Sequence, residues 1–389
     1  MSSLGGLNTP LQPKAARGDE LRRKLRGAFQ RSIRIILSIL ASMVVGSLVM
    51  LWYKQNPIQV YTWLFQGAFG SQRAIFISLQ RATPLIFTAL ASMLAFRTGV
   101  FNVGVEGQFF IGAIAGTFVG YAFRLPAIIH LPLVLLVSFL AGAAWAYIPT
   151  IMRQKLGVSE IITTIMTNYI ATFLISYLTN YPMRGTPTTP ETPFIQPTAK
   201  LAQFVELPGG LGKGSQAHVG IFIAIALVLV LWFILKYTTI GYEWRMAGMS
   251  SRFSQFAGIN MDRVFILGML VSGGIAGLGG AVEIIGVWRK YKDLFATGFG
   301  FRGNLAALLG RNTVFGSFIA ALFYGSMEAG ALGLEWSAGL PRQLIDIAVG
   351  LIVFFMAAEG MWDFVATRKG WSLSGLLRRS SGKPQAQGG

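Results

Sequence analysis

The chain has 389 residues, of which 53% are hydrophobic and 12% are charged, with a formal net charge of +18 and a mean hydropathy of +0.57. These values are too apolar for a soluble protein of this length. The absence of cysteine excludes a disulfide framework and a thiolate metal site. The composition therefore predicts an all-α polytopic membrane protein.

Apolar runs near the roughly 20 residues needed to cross a bilayer recur along the chain. The predicted spans are 33–53, 74–95, 99–122, 126–151, 159–180, 218–236, 262–288, 294–310, 313–334 and 343–362. The segment 1–32 is too long for the basic region of a signal peptide, so we predict an uncleaved first helix. The run at 294–310 is short and interrupted by glycines, and a re-entrant or broken element is the alternative to a full span there.

Basic residues cluster at both ends of the chain rather than along one face, which indicates a membrane orientation signal instead of a nucleic-acid site. They are Arg17, Arg22, Arg23, Lys24, Arg26, Arg31 and Arg34 before the first span, and Arg368, Lys369, Arg378, Arg379 and Lys383 after the last. The positive-inside rule places both ends in the cytoplasm, which agrees with an even number of spans. We expect multi-pass insertion in a bacterial inner membrane.

This topology divides the chain into a membrane domain and its loops. The predicted segments are a basic cytoplasmic segment at 1–32, a transmembrane domain at 33–362, an external Pro/Thr-rich loop at 181–217, a cytoplasmic loop at 237–261 and a basic cytoplasmic tail at 363–389. The Pro-rich part of the external loop should be extended, because proline disfavours helix. It serves either as a stiff linker or as a contact for an external protein.

The stretch F-R-T-G-V-F-N-V-G-V-E-G-Q, from Phe96 to Gln108, places polar side chains at the start of an apolar run. An ionisable carboxylate at hydrocarbon depth, such as that of Glu106, costs a few kcal/mol and needs a partner or a cavity. A weaker copy of this stretch, F-A-T-G-F-G-F-R-G-N, runs from Phe295 to Asn304. Broken helices in repeated segments are typical of transport pathways.

The repeated motif predicts that the membrane domain arose from a duplication. Phe96, Thr98, Gly99 and Gly104 match Phe295, Thr297, Gly298 and Gly303 at a constant offset. The predicted topology brings the first copy in from the cytoplasm and the second from outside, so we predict two inverted five-helix halves. Chance matching among Gly-rich spans is the alternative.

The loop from Tyr237 to Arg263 is the longest internal cytoplasmic segment. Trp244, Ala247, Phe253 and Phe256 alternate with polar positions there, as expected for short helices with one face on a partner. Its pattern T-x-x-G-x-x-x-R-x-x-G, followed by A-G-I, resembles the coupling region of ATP-binding cassette importer permeases of the branched-chain amino acid, sugar and nucleoside type.

Within that family, the chain most resembles nucleoside importer permeases. The Phe96–Gln108 motif is similar to F-R-x-G-x-F-N-I-G-x-E-G-Q, and A-G-L-G-G-A-V-E-I-I-G-V, from Ala276 to Val287, is similar to A-G-L-A-G-A-x-E-V-x-G-V. G-F-G-F-R-G-N-L-A-A-L-L-G-R-N resembles G-Y-G-F-x-G-I-A-V-A-L-L-G-R-N, although Asn304 replaces the usual Ile and Arg302 adds a charge. The resemblance covers about residues 75 to 360.

The resemblance implies a non-enzymatic permease that works with an ABC ATPase subunit, an extracytoplasmic substrate-binding protein and a second permease subunit, in a homo- or heterodimer. The chain has no G-x-x-x-x-G-K-[ST] motif, so ATP must bind to the partner ATPase and the chain itself needs no cofactor. Its direct environment is the lipid bilayer, and we expect no nucleic-acid partner. The implied function is ATP-driven import of purine nucleosides by alternating access.

Two sets of candidate residues follow. Sugar hydroxyls and base edges need hydrogen-bond partners that lipid cannot supply, so the polar intramembrane residues are candidates for the substrate pathway. They are Asn102, Glu106, Gln108, Asn168 and Glu283. The residues expected to couple to the ATPase are Gly241, Arg245, Gly248, Phe253, Ala257 and Gly258.

Other features favour structural roles or alternative functions. Gly273 and Gly277 should allow close helix packing, Glu328 and Asp346 should make structural hydrogen bonds, and two isolated histidines make no metal site. The alternatives to nucleoside import are simple-sugar import, a stand-alone proton-coupled transporter in which Glu106 carries the proton, and a non-transport scaffold. The patterned 237–261 loop favours ATPase coupling over a self-contained carrier.

Overall fold

The computed structural model describes residues 43–48, 50–52, 54–185, 188–293, 295, 298–338 and 350. It divides into a unit formed by Asn56–Val349 and a second unit formed by Met1–Gln55 and Gly350–Gly389. In the second unit, residues 43–48 and 50–52 are helical. Most of the predicted span 33–53, nearly all of 343–362 and both basic tails lie outside the described residues.

The described part of Asn56–Val349 consists of helices and loops with two isolated antiparallel bridges. The helices are α1 (Pro57–Phe69), α2 (Gln72–Arg97), α3 (Val105–Ala122), α4 (Ala127–Leu156), α5 (Glu160–Asn180), α6 (Gly220–Tyr237), α7 (Thr239–Met249), α8 (Ser251–Phe256), α9 (Met261–Glu283), α10 (Phe299–Leu309) and α11 (Val314–Ala338). Two 3₁₀ turns, Pro197–Ala199 and Phe204–Glu206, lie between α5 and α6.

Six of these helices are long and apolar enough to cross a membrane: α2, α4, α5, α6, α9 with its extension, and α11. They correspond to predicted spans, and the helical, multi-pass character of the chain is confirmed. The full number of ten and the division into two five-helix halves stay predictions, since both ends of the membrane domain lie outside the described residues.

Three elements differ from the predicted boundaries. Helix α3 begins at Val105 instead of residue 99, because 98–104 forms a loop. Helix α10 has 11 residues, or roughly 16 Å at 1.5 Å per residue, which is about half the hydrocarbon thickness of a bilayer. The predicted element at 294–310 is therefore a short helix within the described residues. Helix α1 was not predicted; the Asn56 side chain accepts from the Ile58 N–H at its start, and Pro57 occupies the first helical position.

Helix α9 packs against α2, α3 and α4, and glycines determine how closely it does so. A Cβ at Gly273 would meet the backbone of Gly142 on α4, and a Cβ at Gly277 would meet the backbone of Ser138. Gly112 on α3 faces Gly277 in the same way. The predicted packing role of Gly273 and Gly277 is confirmed, because larger residues there would force the helices apart.

Helix α9 ends in a π-helical turn, Ile284–Trp288, followed by Arg289 in the left-handed region at φ +59°. The Pro-rich segment after α5 runs along this turn. Thr192 and Ile195 donate their N–H groups to the Tyr291 and Arg289 carbonyls at 3.0 and 2.9 Å. The segment is thus extended, as predicted, but it is attached to the end of α9 and is not a free linker.

Two ion pairs strengthen this attachment. Glu191 contacts Lys290 at 2.6 Å and Glu206 contacts Arg289 at 2.5 Å. The hydrogen bond from Lys290 lowers the pKa of Glu191, and the Gln203 backbone N–H followed by the Arg289 guanidinium lowers that of Glu206. Partly exposed pairs of this kind contribute at most about 1 kcal/mol each, so the backbone bonds carry most of the attachment.

Candidate functional site

The carboxylate of Glu106, in the first turn of α3, lies at the start of α10. The N–H of Gly298 donates to its Oε1 and the N–H of Gly300 donates to its Oε2, each at 2.5 Å. These N–H groups have no partner inside α10, and the positive end of a helix dipole favours an anion. A Cβ at Gly300 would overlap the Glu106 backbone, so glycine is required for this approach.

The two copies of the Gly-rich motif meet at this junction. Gly99 and Gly298, which the sequence comparison pairs, both have positive φ, at +80° and +91°. The ring of Phe109, which directly follows the first motif, lies 6.3 Å from that of Phe295 and 5.9 Å from that of Phe299. The shared backbone geometry agrees with a duplication, whereas the opposite membrane orientation of the copies stays a prediction.

Asn102 and Gln108 form a reciprocal amide pair at the start of α3. Asn102 Nδ2 donates to Gln108 Oε1 at 2.9 Å, and Gln108 Nε2 donates to Asn102 Oδ1 at 3.2 Å. Asn102 Nδ2 also donates to Ser272 Oγ at 3.0 Å, and Ser272 in turn donates to the Ala91 carbonyl. This chain of bonds connects the 98–104 loop to α9 and α2.

Asn168 attaches α5 to the same place. Its Oδ1 accepts from the Gly107 N–H at 2.8 Å, and its Nδ2 donates to the Val103 carbonyl at 3.0 Å. Four of the five predicted pathway residues, those on α3, its preceding loop and α5, therefore converge on the α3 start. All four are buried and hydrogen-bonded within the protein. Their bonds stabilise a broken helix, and a direct role in the substrate pathway stays a prediction.

Glu283 lies apart from these four, at the end of α9. It is buried, and its Oε2 makes no hydrogen bond with the described residues. Arg81 on α2, Glu328 on α11 and Trp288 in the π turn lie close enough to affect its charge. Arg302 on α10 pairs with Glu328 at 2.7 Å. The structural interaction predicted for Glu328 is thus an ion pair, and Asp346 lies outside the described residues.

Arg81 and Trp288 were not predicted from the sequence as neighbours of Glu283. A lone arginine inside a predicted span was a usable signal, because intramembrane charges need partners. Trp288 had no such signal, since its position depends on the π turn after Glu283. Insertion of one residue into the helical repeat rotates everything after it, and residue periodicity does not reveal this.

The 237–261 loop contains two short helices with inner and outer faces. Trp244 and Ala247 are buried, whereas Phe253 and Phe256 are 59% and 93% exposed. A Cβ at Gly241 would overlap the Ile234 backbone of α6, and one at Gly248 would overlap the Arg97 backbone at the end of α2. The remaining predicted coupling residues, Arg245, Ala257 and Gly258, lie on the same two helices and the turn that follows.

A cleft of about 750 Å³ lies between this loop and the bundle formed by the long helices, including α2, α4 and α9. The ends of α2 and α4 and the start of α9 form its inner wall, with Thr98, Arg153 and Phe265 among the lining residues. The guanidinium of Arg153 lies 4.3 Å from the ring centroid of Phe265 and pairs with Glu160. The loop thus touches the end of α2, where the first Gly-rich motif begins, and this contact gives it a mechanical route to the transmembrane helices.

The two histidines have separate structural contacts. His130 Nδ1 lies 2.8 Å from Thr198 Oγ1, and His218 Nδ1 accepts from the Gly220 N–H at 3.1 Å. Burial lowers the pKa of His218 to about 4, so it is neutral at physiological pH. Among the described residues, no three His or acidic side chains converge in a way that could hold a metal ion.

Residues 74–357 match the family described as the permease component of the branched-chain amino acid transport system. The chain belongs to this family of ATP-binding cassette transporter permeases, whose members are not themselves enzymes. The match includes the α3–α10 junction, the Glu283 region and the 237–261 loop. It also identifies the chain as a multi-pass protein of the inner membrane, working with ATPase and substrate-binding partners.

The relatives carry more specific names. The chain is 37% identical over 333 residues to the guanosine ABC transporter permease NupP of Bacillus subtilis, covering 85% of this chain and 94% of that protein. It is 34% identical over 330 residues to the nucleoside ABC transporter permease NupB of Lactococcus lactis, covering 83% and 90%. It is also 34% identical over 325 residues to the glucose ABC transporter permease TsgB13 of Haloferax volcanii, covering 82% and 86%. No solved structure gives a significant match.

Proposed function

We propose that this chain is the permease subunit of an ATP-driven importer of nucleosides, with purine nucleosides as the preferred substrates. The observation that carries the proposal is the similarity to the guanosine and nucleoside permeases over more than four fifths of the chain. The match extends through both Gly-rich motifs and the Glu283 region, where the structure places its buried polar groups. The purine preference follows the guanosine relative alone.

In this proposal, ATP hydrolysis acts on the pore through α7 and α8. The exposed rings of Phe253 and Phe256 bind the ATPase, since large apolar side chains on a solvated loop are typical of protein contacts. The inner face of α7 passes the movement on, because Gly241 and Gly248 pack directly on the backbone of α6 and α2. Backbone contacts without intervening side chains transmit displacement with little loss.

The remaining architecture follows the same family pattern. The chain forms half of the pore with a second, identical or related permease, and both termini lie in the cytoplasm. An external binding protein delivers substrate to the face that carries the 181–217 loop. That loop is attached to the end of α9, so binding-protein contact reaches the segment that contains Glu283 and Trp288.

Simple-sugar import is the second candidate, and the glucose permease relative favours it. Uptake can separate the two. Cells expressing the complete transporter should accumulate radiolabelled guanosine and adenosine, and a matched deletion of this chain should abolish the uptake. Unlabelled ribose or glucose in excess should not compete. Glucose uptake that depends on this chain, together with no nucleoside uptake, would contradict nucleoside import and support simple-sugar import.

A further inference from the structure

Three buried polar atoms near the end of α9 have no hydrogen-bond partner among the described residues: Arg81 Nε, Glu283 Oε2 and Trp288 Nε1. They are two donors and one acceptor, contributed by α2, α9 and the π turn. Buried polar atoms in folded proteins nearly always have a hydrogen-bond partner, so three neighbouring exceptions call for an explanation. We refer to Arg81, Glu283 and Trp288 as the polar triad.

The triad adjoins a group of aromatic rings. Trp288 lies 6.1 Å from Phe295 in an edge-to-face arrangement, and Phe295 lies 4.9 Å from Tyr291 and 6.1 Å from Phe110. Trp288 belongs to both groups, with its N–H beside the carboxylate and its ring beside the aromatic cluster. Its ring is part-exposed, whereas Glu283 is buried. A ligand that stacks on the Trp288 ring shares it with the Lys292 ammonium, which lies 5.6 Å from the ring centroid.

Two basic and two acidic groups lie in or beside the triad, namely Arg81, Arg302, Glu283 and Glu328, and Lys292 adds a further positive charge beside Trp288. Glu283 and Glu328 disfavour a phosphorylated ligand, because its negative charge would lie beside two acidic groups in a buried place. Donors and an acceptor beside a ring surface fit a ligand with both an aromatic ring and hydroxyl groups.

We propose that the polar triad forms a nucleoside-binding site within the permease, with the base stacked on Trp288 and the polar edge of the base or the ribose bonded to Arg81 and Glu283. This inference rests on the proposed nucleoside function. The site lies at the end of α9 to which the 181–217 loop is attached, so it is the place where delivered substrate first enters the bundle. The π turn is the device that places Trp288 beside Glu283.

Photolabelling of the assembled transporter tests the proposal. 8-Azidoadenosine should label a peptide within 281–295, and excess unlabelled guanosine should prevent the labelling. Trp288→Leu, which removes the ring, should reduce both labelling and guanosine uptake about tenfold, the order expected for one lost base–aromatic stack. Trp288→Phe keeps a ring and removes the N–H, so it should retain more of both.

A matched control is Ser138→Ala. Ser138 Oγ is also buried and has no hydrogen-bond partner in the part of the chain that the structure describes, but it lies on α4 outside the triad. This variant should keep wild-type labelling and uptake. Immunoblots of membranes establish that each variant is present in equal amount.

The outcomes separate the site from the function. If the wild type imports nucleosides but labelling maps outside 281–295, or Trp288→Leu labels and transports normally, the site is wrong and the function stands. If the wild type imports no nucleoside, the proposed function fails and the site fails with it. Competable labelling within 281–295 that is reduced in Trp288→Leu supports both.

Discussion

At the scale of single residues, Glu106 combines two requirements that are usually separate. An anion inside a membrane needs compensation, and the first N–H groups of a buried helix need acceptors. The contact between its carboxylate and the start of α10 satisfies both at once. This explains why the motif carries an acid where a neutral residue would insert into the bilayer at lower cost.

Substitution of Glu106 should therefore destabilise the junction in graded steps. Glu106→Gln keeps one acceptor for the two N–H groups, so it should lower the stability by about 1–3 kcal/mol, and Glu106→Ala should cost more because both donors lose their partner. Thermal unfolding in detergent measures this, with nucleoside uptake in parallel. Glu160→Gln, in a partly exposed pair with Arg153, is the control and should cost under about 1 kcal/mol. Equal melting temperatures for wild type and Glu106→Ala would contradict the assignment.

His218 gives a pH dependence with a defined sign. Its pKa is about 4 in the folded protein against an ordinary value of 6.5, so the unfolded chain binds the extra proton between these values. Stability is then complete above pH 6.5 and decreases as the pH falls towards 4, by up to about 1.4 kcal/mol per pH unit. The Glu191 and Glu206 pairs stabilise the fold fully above their ordinary pKa of 4.5 and lose this contribution only as the pH falls below it, because their pKa values are lowered in the folded protein.

The measurement is the melting temperature of the purified protein from pH 8 to pH 5. The wild type should lose stability below pH 6.5, and His218→Gln, which keeps an acceptor for the Gly220 N–H, should show a smaller decrease. His130→Gln is the control, because His130 contacts Thr198 and the Val119 carbonyl and not the Gly220 N–H. An unchanged slope in His218→Gln would show that the histidine does not titrate as stated.

At the scale of elements, the spans were predictable because their hydrophobicity is continuous over about 20 residues. Helix α1 was missed because its 13 residues are too few to span, although Asn56 and Pro57 form a recognisable helix start. Asn102, Gln108 and Asn168 were predicted as candidate residues, but their hydrogen bonds were not. These bonds depend on the conformation of the loop at 98–104, which the sequence pattern does not specify. Glu283 was predicted and Arg81 had a usable signal, but the grouping of these two residues with Trp288 was not predictable, because it depends on the π turn.

The exposed rings of α8 lead to a prediction about coupling. Phe253→Ser with Phe256→Ser should leave the bundle folded, because both side chains point away from it, yet should reduce copurification of the ATPase subunit at least tenfold, as expected for the loss of apolar anchors at an interface. Phe194→Ser removes a ring of similar exposure, 62%, from the 181–217 loop and should copurify normally. Full ATPase recovery with the double variant would place the contact elsewhere.

At the scale of the whole molecule, the accessibility of single cysteines tests the predicted orientation of the loops. The chain has no native cysteine, so single cysteines report on their own positions. Lys213→Cys, in the 181–217 loop, should react with an impermeant maleimide in intact cells, and Arg252→Cys, in the 237–261 loop, should react only after permeabilisation. Both positions are exposed, which makes them a matched pair. The reverse pattern would invert the topology and place the coupling loop outside the cell.

The contact of Glu106 with α10 also limits how the permease can move. One carboxylate holds the first turns of two helices that lie far apart in the chain, so these turns form a single rigid node. We expect any rocking motion to carry both motif copies together, without separating them. We expect the hinges of the transport cycle to lie at the edges of this node.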